Sequence, residues 1–489
     1  MMEMYDKDLR SIQEVRHLVK KAKSAQRKLA TMSQENINKI VKAIADAGYK
    51  HREKLAKMAY EETGFGRWQD KILKNSFASK HVYESVKDMK TVGVINEDKE
   101  KKIMEVAVPI GVIAGLIPST NPTSTVLYKA IISLKAGNSI VFSPHPNALK
   151  CILETVKIIN EAAKQVGCPD GAISCMTVPT VQGTNELMKH KDANLILATG
   201  GTPMVKAAYS SGTPAIGVGP GNGPAFIEKS AKIPLAVKRI LDSKTFDNGT
   251  ICASEQSIVV EECSKQAVME ELKRQGAYFL SKEESEKLSG FIMRANGSMN
   301  PQIVGKSVEH IASLAKLNIP TSARVLIAEE THVGNHVPYS REKLAPILAF
   351  YTEKDWESAC DRCIEILHNE GAGHTLIIHS ENEEVIREFA LKKPVSRLLV
   401  NTSGALGGIG ATTNLVPALT LGCGAVGGSS TSDNIGPANL FNVRRLAYGV
   451  RELEDLRENT PILEQKTTNL NENEELINMI VQRILEKIN

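Results

Sequence analysis

Apolar and polar residues alternate along the chain with two different periods, and these periods predict its secondary structure. Residues 7–90 are rich in Ala, Lys, Glu and Leu and place apolar residues at helical spacing, which predicts several helices. From "KIMEVAVPIGVIAGLIPST" onward, β-branched apolar runs alternate with helix-like segments such as "PTSTVLYKAIISLKAG". Strands that alternate with helices indicate βαβ units, so we expect a largely parallel sheet covered by helices on both faces.

The same alternation resumes after Cys252 and predicts a second α/β domain, from about Lys244 to about Thr420. Helix-like segments there separate four strand-like runs: "SEQSIVVEE", "ARVLIAEE", "HTLIIHS" and "VSRLLVN". A chain of 489 residues is also too long for one simple core, which favours two or three domains. The segment from Gly404 to Pro437 is dense in Gly, Ser, Thr and Asn and predicts ordered loops around a site.

The last residues of the chain follow a third pattern. Residues 462–473 are polar and without periodicity, which is typical of a linker. The apolar residues after them fall on one helical face: Leu476, Ile477, Ile480, Val481, Ile484, Leu485 and Ile488. This amphipathic helix fits three roles, which the pattern leaves open: packing on its own domain, pairing within an oligomer, and docking to a partner.

Composition and charge narrow the class of protein. Apolar residues make up 42% and charged residues 24%, as in soluble globular proteins, and 60 basic against 56 acidic residues leave too small an excess for nucleic-acid binding. No apolar run predicts a secretory signal or a membrane span. The eight scattered cysteines favour a reducing cytoplasm. The single CxxC, Cys360–Cys363, lies in a helix-like segment without a second pair, so we expect no metal site.

Cys252 is the cysteine whose surroundings favour chemistry. It lies in "FDNGTICASEQ", between a turn and a strand-like run. A tight turn can expose a thiol and direct backbone N–H groups at a developing oxyanion, whereas most cysteines are buried small hydrophobes. The local pattern leaves both interpretations open.

Five segments, in order within residues 10–450, give the chain a resemblance to a known family. They are "IPSTNPT", "ATGGTPMV", "FDNGTICASEQ", "REKLAPIL" and "LTLGCGAVGGSSTSDNIGP". These segments resemble motifs of the aldehyde dehydrogenase superfamily, and specifically of its coenzyme A-acylating branch, which includes the N-terminal half of bifunctional aldehyde–alcohol dehydrogenases. The resemblance implies an aldehyde dehydrogenase-like α/β fold, with a Rossmann-type cofactor domain, an α/β catalytic domain and a β-hairpin oligomerisation element.

The resemblance also implies a role for each motif residue. Cys252 corresponds to the nucleophile, and the Asn121 side chain to a donor of the oxyanion hole. The residues implied in NAD binding lie in the Gly-rich turn, at the nicotinamide ribose and near the adenosine: Thr199, Gly200, Gly201, Thr202, Glu342, Ser143 and His145. The residues implied in the aldehyde pocket lie beside the nucleophile: Asn248, Thr250 and Ile251. Ser143 replaces the lysine with which the family contacts the adenosine ribose, so these contacts differ in this chain.

A second departure concerns the general base of hydrolytic aldehyde dehydrogenases. These enzymes carry a glutamate just before a Gly-Gly pair, and the corresponding stretch here, "AIGVGPGNGP", has Val218 at that place. No carboxylate occurs between Ala207 and Phe226. Without a base that activates water, a thioester on Cys252 persists until another nucleophile arrives, and the thiol of coenzyme A suits that role.

The sequence therefore predicts a CoA-acylating aldehyde dehydrogenase that oxidises a short-chain aldehyde with NAD and coenzyme A through an acyl-cysteine. Ile251 and Ala253 flank the nucleophile and its loop has no arginine, which favours propionaldehyde, with acetaldehyde next. Succinate semialdehyde and sulfoacetaldehyde stay as alternatives, because the sequence does not give the distances of Arg397, Arg444 and Arg445 from the nucleophile. A hydrolytic dehydrogenase is disfavoured by the missing base, and an inactive scaffold by the intact motifs.

The resemblance also implies an order of domains. We expect an NAD-binding domain (1–243), a catalytic domain (244–425), a return to the cofactor domain with an oligomerisation strand (426–457), a linker (458–473) and a C-terminal helix (474–489). Residues 98–110 then contribute to the oligomerisation hairpin of a homodimer or tetramer. The last helix resembles encapsulation peptides, so we expect a cytoplasmic protein inside a bacterial microcompartment, docked to its shell or to other cargo. Neither a nucleic acid nor a membrane is expected as a partner.

Overall fold

The computed structural model of the chain describes residues 6–457 and 470–488. Its helices are α1 (Lys7–Leu29), α2 (Gln34–Lys50), α3 (Arg52–Thr63), α4 (Trp68–Ser76), α5 (Val82–Val86), α6 (Pro122–Lys135), α7 (Leu149–Gln165), α8 (Val181–Lys189), α9 (Thr202–Tyr209), α10 (Ile233–Thr245), α11 (Lys265–Arg274), α12 (Lys282–Ile292), α13 (Val308–Ala315), α14 (Trp356–Asn369), α15 (Glu383–Lys392), α16 (Gly404–Gly408), α17 (Leu453–Arg457) and α18 (Leu470–Ile488). Its strands are β1 (Gly93–Asp98), β2 (Ile103–Pro109), β3 (Val112–Ile117), β4 (Ser139–Pro144), β5 (Ile173–Cys175), β6 (Ala193–Thr199), β7 (Ala215–Val218), β8 (Gly223–Ile227), β9 (Glu255–Glu261), β10 (Ala277–Phe279), β11 (Val325–Glu329), β12 (Ile347–Glu353), β13 (Gly373–His379), β14 (Val395–Val400) and β15 (Phe441–Ala447). A π-helical turn, Phe77–His81, directly follows α4.

A five-stranded parallel sheet carries the first part of the site. Its order is β5-β4-β3-β6-β7, and in the central strand β3 Ala114 lies opposite Val141 of β4 and Ile196 of β6. Because the side chains of a strand alternate between its two faces, Ile113 packs in the cluster that contains α2, α6 and α7, whereas Ala114 packs in the one that contains α1 and α8. Both faces are therefore buried, which explains the continuous apolar runs of these strands.

A seven-stranded parallel sheet carries the second part of the site. Its order is β10-β11-β12-β9-β8-β13-β14. In β9, Ile258 packs in the cluster with α10 and α11, and Val259 packs in the cluster with α14 on the opposite face. The two sheets confirm the predicted mixed α/β class with parallel strands covered by helices.

Strand β8 precedes residue 244, where the second domain was expected to begin. It nevertheless pairs with β9 and β13 in the middle of the seven-stranded sheet, and all its residues are buried there. The chain thus enters this sheet before α10 and the nucleophile loop. The domain boundaries inferred from the resemblance stay a prediction.

The carboxyl ends of β3, β6 and β7 meet at one edge of the five-stranded sheet, because their strands are parallel neighbours. Thr199 ends β6, Val218 ends β7, and Asn121 follows β3 as the residue before α6. Such an edge, where helices leave on both sides, is the usual ligand site of an open α/β sheet. The fold therefore brings three separate sequence motifs to one place.

A second compact unit comprises residues 96–105 and the chain from residue 445 onward. Within it, Arg445 forms an ion pair with Glu105 at 3.0 Å, and the Tyr448 backbone N–H donates to Lys102 O. The strand order β1-β2-β15 forms a three-stranded sheet, to which the expected hairpin residues 98–110 contribute. Most of the expected linker lies outside the described residues, and α18 begins at residue 470.

Helix α18 has the amphipathic pattern that the sequence predicted. The apolar side chains from residue 474 to residue 487 are about half exposed or more: Leu476, Ile477, Met479, Ile480, Val481, Ile484 and Leu485. In the ranges 6–457 and 470–488, no helix combines the length and the apolar character that crossing a membrane requires.

Candidate active site

One cavity of about 980 Å³ gathers most of the predicted site residues. The predicted residues that line it come from both sheets: Asn121, Ser143, His145, Thr199, Gly200, Gly201, Thr202, Thr250, Ile251, Cys252 and Glu342. A cavity of this size is sufficient for a nucleotide-sized ligand. The structure thus brings together motifs that lie up to 221 residues apart in sequence, from Asn121 to Glu342.

The nucleophile loop is held by an unusual run of backbone conformations. Asp247, Asn248 and Gly249 have φ values of 50°, 51° and 78°, in the left-handed region that Asn, Asp and Gly tolerate best. This turn leads the chain back so that Cys252 lies partly exposed at the cavity. A Cβ on Gly221 would lie only 1.9 Å from Cys252 O, so the loop packs directly on a residue that has to be glycine.

The Cys252 thiol is protonated in this structure near neutral pH. Burial raises its pKa to about 12, and the neighbouring Glu342 carboxylate adds to the shift by disfavouring a second negative charge. Arg397 acts in the opposite direction, but its effect is smaller. Nucleophilic attack by Cys252 therefore requires loss of the thiol proton when a substrate binds.

Asn121, the oxyanion donor implied by the resemblance, contacts the nucleophile loop. It precedes α6, with Pro122 in the first turn of the helix. Its Nδ2 donates to Thr250 O at 3.2 Å and to Thr120 Oγ1 at 3.3 Å. Because Thr250 is two residues before Cys252, the Asn121 amide lies on the side of the nucleophile loop.

The Gly-rich turn after β6 forms a cradle for a phosphate group. Gly201 precedes α9 without a side-chain cap. Pro203 has no N–H and the Met204 N–H donates to Gly201 O at 3.0 Å, so the donor of the first turn that lacks an acceptor among the described residues is the Thr202 N–H. The Thr199 Oγ1 is buried and has no hydrogen-bond partner among the described residues. Free donors at a helix N-terminus bind anions, and this donor set fits the pyrophosphate of a dinucleotide.

Ser143 and His145 line the same cavity at the end of β4. The Ser143 hydroxyl bonds to Thr184 Oγ1 at 2.8 Å. His145 Nδ1 accepts from Asn147 N at 3.1 Å, and burial lowers the pKa of its imidazole. Neither side chain carries the fixed positive charge of a lysine at this place.

Glu342 and Glu370 form an acidic pair on the cavity wall. Glu342 Oε1 accepts from Gly221 N at 2.9 Å, and its backbone N–H donates to Glu370 Oε2 at 2.7 Å. Burial raises the pKa of Glu342 to about 8, and the charge of Glu370 adds to this shift. Arg341 balances Glu370 through an ion pair of 2.9 Å. A buried carboxyl group of this kind can hydrogen-bond to ribose hydroxyls, the role inferred for Glu342 from the resemblance.

Val218 lines the cavity at the end of β7 and is buried. It occupies the position at which hydrolytic enzymes were expected to have a glutamate. Among the described residues that line the cavity, the carboxylates are Glu342 and Glu370, and both are engaged as described. The side chain at the position that the resemblance assigns to the general base is therefore the apolar Val218.

Asn248 is the predicted site residue that the structure places elsewhere. It is not among the residues that line the cavity, because its left-handed backbone directs the amide to two other loops. Its Nδ2 donates to Gly305 O at 3.0 Å and to Gly66 O at 3.4 Å. Asn248 thus ties the nucleophile loop to the loops that contain Gly66 and Gly305.

Sequence reasoning missed two charged residues of the site, Lys74 and Glu370. Both line the cavity, and neither belongs to a motif. Lys74 lies on α4 and is 5% exposed. A lysine in a helix of mixed polarity usually indicates a solvated face, so no sequence signal pointed to this residue.

Comparison with known proteins places this geometry in a family. The aldehyde dehydrogenase family model matches residues 8–406. The bifunctional aldehyde-alcohol dehydrogenase AdhE of Escherichia coli (strain K12) is 44% identical over 442 residues, which are 89% of this chain and 50% of that protein. The chain therefore spans about half the length of this relative.

Two further relatives match over most of their length. The succinate-semialdehyde dehydrogenase (acetylating) of Clostridium kluyveri is 37% identical over 438 residues, 90% of this chain and 96% of that protein. The sulfoacetaldehyde dehydrogenase of an Acholeplasma species is 39% identical over 432 residues, 87% of this chain and 89% of that protein. These relatives act on different aldehydes, so the similarity does not select one.

Solved structures share the same fold. A probable aldehyde dehydrogenase from Listeria monocytogenes EGD-e has 76% identity and a TM-score of 0.92, covering 93% of this chain and 100% of that one. An acetylating aldehyde dehydrogenase from Geobacillus thermoglucosidasius has 54% identity and a TM-score of 0.91, and the match covers 92% of this chain and 99% of that one. A propionaldehyde dehydrogenase from the Clostridium phytofermentans fucose utilisation bacterial microcompartment has 29% identity and a TM-score of 0.80. This match covers 89% of this chain and 97% of that one.

Several structural neighbours carry bound molecules. An engineered glycolyl-CoA reductase binds NADP+, and a propionaldehyde dehydrogenase of Rhodopseudomonas palustris binds propionyl-CoA; each has 27% identity and a TM-score of 0.80. The reductase match covers 89% of this chain and 96% of that one, and the propionaldehyde dehydrogenase match covers 89% of this chain and 94% of that one. The motif order, the fold and these matches confirm the resemblance: the chain belongs to the aldehyde dehydrogenase family, with relatives and structural neighbours in its coenzyme A-acylating branch.

Proposed function

We propose that this protein is a CoA-acylating aldehyde dehydrogenase, which converts a short-chain aldehyde, NAD and coenzyme A into acyl-CoA and NADH. One observation supports this choice above others: Cys252 and Asn121 share a cavity in which Val218 occupies the place of the hydrolytic base. A nucleophile and an oxyanion donor suffice for acyl transfer. Without a base to activate water, the acyl group on Cys252 is left for a thiol.

The proposed chemistry begins when Cys252 Sγ forms a bond to the aldehyde carbon and its proton is released. The carbonyl oxygen becomes an oxyanion, which the Asn121 amide and the Cys252 backbone N–H stabilise; each such donor contributes about 3–4 kcal/mol to the transition state. NAD, when bound, would supply the acceptor for the hydride that leaves the carbon. The carbonyl re-forms as a thioester on Cys252. The sulfur of coenzyme A then forms a bond to the acyl carbon, the bond to Cys252 Sγ breaks, and the thiol proton of coenzyme A passes to the Cys252 sulfur, which regenerates its thiol.

The nucleotide contacts proposed for this chain follow the geometry of the cavity. The open N-terminus of α9 and the unpartnered Thr199 hydroxyl would hold the pyrophosphate, and Glu342 the nicotinamide ribose. The bound NADP+ and propionyl-CoA of two structural neighbours support a site for both classes of nucleotide. For this chain NAD is the cofactor that we propose, with coenzyme A as the second substrate.

We propose a short uncharged aldehyde as substrate, propionaldehyde first and acetaldehyde next. A carboxylate or sulfonate needs a free cation, but Arg397 already donates to five oxygens, among them those of His374, Gly422 and Ser432. Arg341, the arginine that lines the cavity, is paired with Glu370. Apolar side chains also line the cavity: Ile251, Ile409, Leu419 and Leu421.

Initial rates of NADH formation test this function. We expect NADH from propionaldehyde and NAD only when coenzyme A is present, with Cys252→Ser as the inactive control. Equal rates with and without coenzyme A would favour hydrolysis, and no turnover in either case would favour a scaffold. In the same assay, faster turnover of succinate semialdehyde or sulfoacetaldehyde than of propionaldehyde would contradict the proposed substrate.

We further propose that α18 docks to a shell or cargo protein of a bacterial microcompartment, with the enzyme in the cytoplasm as a homodimer or tetramer. The exposed apolar face of α18 supports a docking role. A microcompartment enzyme among the structural neighbours supports the setting. Residues 98–110 and β15 are the segments that we propose for subunit exchange, because they lie in the same three-stranded sheet.

A further inference from the structure

A buried charged cluster lies directly behind the oxyanion donor. Lys71 and Lys74 on α4 are 3% and 5% exposed, and Asp247 of the nucleophile loop is fully buried. Both lysines form ion pairs with Asp247 Oδ2, that of Lys71 at 2.9 Å. The cluster thus joins α4 to the nucleophile loop across more than 170 residues of sequence.

The contacts of Lys74 reach further than this ion pair. Its Nζ donates to Asn121 Oδ1 at 2.5 Å, to Thr250 Oγ1 at 2.9 Å and to Asp247 Oδ2. An ammonium group has three N–H donors and no acceptor, so these three oxygens use all of its protons. Lys74 is therefore fixed in one orientation.

The Asn121 amide is oriented by this contact. Because an ammonium group only donates, Oδ1 of Asn121 has to face Lys74, and Nδ2 has to face the other way. Nδ2 therefore points toward the nucleophile loop, where it donates to Thr250 O. An amide without such a partner can turn by 180° and present an oxygen to the oxyanion, which would repel it.

Asp247 is in turn held firmly enough to keep Lys74 in place. Its Oδ1 accepts from Arg67 N at 2.6 Å, and its own N–H donates to Asp70 Oδ2 at 2.9 Å. Burial alone would raise the pKa of the Asp247 carboxyl, but the charges of Lys74 and Lys71 outweigh it and lower that pKa. A Cβ on Gly66 would lie 1.9 Å from Asp247 Oδ1, so this carboxylate packs directly against the backbone of the neighbouring loop.

We propose that Lys74 is a positioning residue of the oxyanion hole: its ammonium group fixes the Asn121 side chain so that Nδ2 faces a carbonyl oxygen bound at Cys252. This inference rests on the proposed acyl transfer at Cys252. Lys74 itself contacts neither the aldehyde nor the cofactor in this role.

Lys71 provides a matched control for Lys74. Both are buried lysines of α4, three residues apart, and both pair with Asp247 Oδ2. Lys71 differs in its second contact, which is the backbone oxygen of Thr120 at 3.0 Å. Lys71→Met therefore removes the same charge from the same cluster without removing the contact to the Asn121 side chain.

The test uses two reactions of Cys252 that need neither nicotinamide nor coenzyme A. With 4-nitrophenyl acetate, Cys252 Sγ forms a bond to the carbonyl carbon through an oxyanion, 4-nitrophenolate leaves, and the thiol proton goes to solvent. With iodoacetamide, Sγ displaces iodide at a saturated carbon and no oxyanion forms. Rates are measured on the full-length protein, the first by nitrophenolate absorbance and the second by mass spectrometry of the Cys252 peptide.

We expect Lys74→Met and Asn121→Ala each to slow acylation about a hundredfold, the loss that follows removal of one oxyanion donor. The double variant should be no slower than either single variant, because both changes disable the same amide. Alkylation by iodoacetamide should stay within about threefold of wild type, since it has no oxyanion. Lys71→Met should keep acylation within about fivefold of wild type, even if it lowers the Tm as much as Lys74→Met.

Three results would overturn the inference: losses that multiply in the double variant, an equal loss of acylation in Lys71→Met, or an equal loss of alkylation in Lys74→Met. If Lys74→Met does not fold, Lys74→Gln retains an N–H donor and should lose only about tenfold in acylation. A wild-type protein that reacts with the ester but forms no acyl-CoA would contradict the proposed function and leave the inference standing.

Discussion

The reactivity of Cys252 is decided by a few side chains around its thiol. Burial and the nearby Glu342 hold the pKa of the thiol at about 12. A thiolate is the reacting form, so its fraction rises tenfold per pH unit below that value. In the protein without ligands, we expect the rate of Cys252 alkylation by iodoacetamide to rise steadily from pH 7 to pH 10 without a plateau.

Glu342 raises the pKa of the Cys252 thiol, and the alkylation experiment can test this effect with a variant. An anion near a thiol raises its pKa, so Glu342→Gln should lower the pKa of Cys252. At pH 9, above the pKa of about 8 for Glu342, alkylation of the variant should be about threefold to tenfold faster than that of wild type. A plateau below pH 9 in wild type, or a slower variant, would contradict this account of the thiol.

Val218 offers a test of the proposed acyl acceptor. Val218→Glu places a carboxylate at the end of β7, where a base could activate water against the acyl-cysteine. We expect NADH formation without coenzyme A to rise at least about tenfold in this variant, within the range of general base catalysis. Val218→Gln has the same shape without the base and serves as control; equal rates in the two variants would count against the argument.

Single residues were predictable from sequence only where a motif carried them. Cys252, Asn121 and Glu342 came from the order of motifs, and the structure gathers them in one cavity. Lys74 and Asp247 did not, because their meaning depends on contacts across 173 residues of sequence. The φ values of the "DNG" turn explain why Asp and Asn occur there, but no local pattern shows that the Asp side chain is buried between two lysines.

Among the secondary-structure elements, the β7–β8 loop sets the position of the nucleophile loop. A Cβ on Gly221 would meet Cys252 O at 1.9 Å, so Gly221→Ala has to push the two loops apart. We expect this variant to lose at least about a hundredfold in kcat, since a displacement of about 1 Å misaligns attack on the carbonyl. Gly219→Ala is the control, because a Cβ there meets no heavy atom within 4 Å.

Thermal unfolding shows whether a loss of kcat in Gly221→Ala or Gly219→Ala accompanies a loss of stability. Gly221→Ala should lower the Tm by several degrees, as backbone overpacking costs about 1–3 kcal/mol, while Gly219→Ala should leave it near the wild-type value. Comparable kcat values for the two variants would show that the loop contact does not control the position of Cys252.

The elements themselves were largely predictable, because strands buried on both faces leave continuous apolar runs. β9, β11, β13 and β14 each correspond to a strand-like run in the sequence. Two strands of the same sheet were not singled out, β10 with three residues and β12. β12 begins at Ile347, within the last two residues of the motif "REKLAPIL". The strand order could not be derived, since it depends on pairing between distant segments.

At the scale of the whole molecule, removal of the C-terminal helix α18 tests whether it serves docking or the stability of the enzyme. We expect a protein that ends at Pro461 to keep its kcat and its Tm, because the described residues that line the cavity all precede residue 422. It should no longer enter microcompartments, measured as the fraction that sediments with purified shells. A fluorescent protein that carries residues 462–489 should gain entry, and the same fusion with Ile480→Glu and Ile484→Glu should lose it. Loss of activity in the truncated protein would instead indicate a structural tail.

The position of Val218 also has a thermodynamic consequence under the proposed function. Hydrolysis of the acyl-cysteine would release the energy of the thioester bond as heat and make the reaction one-way. Without a base that activates water, the bond from the acyl carbon to Cys252 Sγ breaks as a bond to the coenzyme A sulfur forms; one thioester replaces another, so little free energy is dissipated at this step. Such a reaction can run in both directions, and the concentrations of aldehyde, coenzyme A, acyl-CoA and both nicotinamide forms together decide whether the aldehyde is consumed or produced.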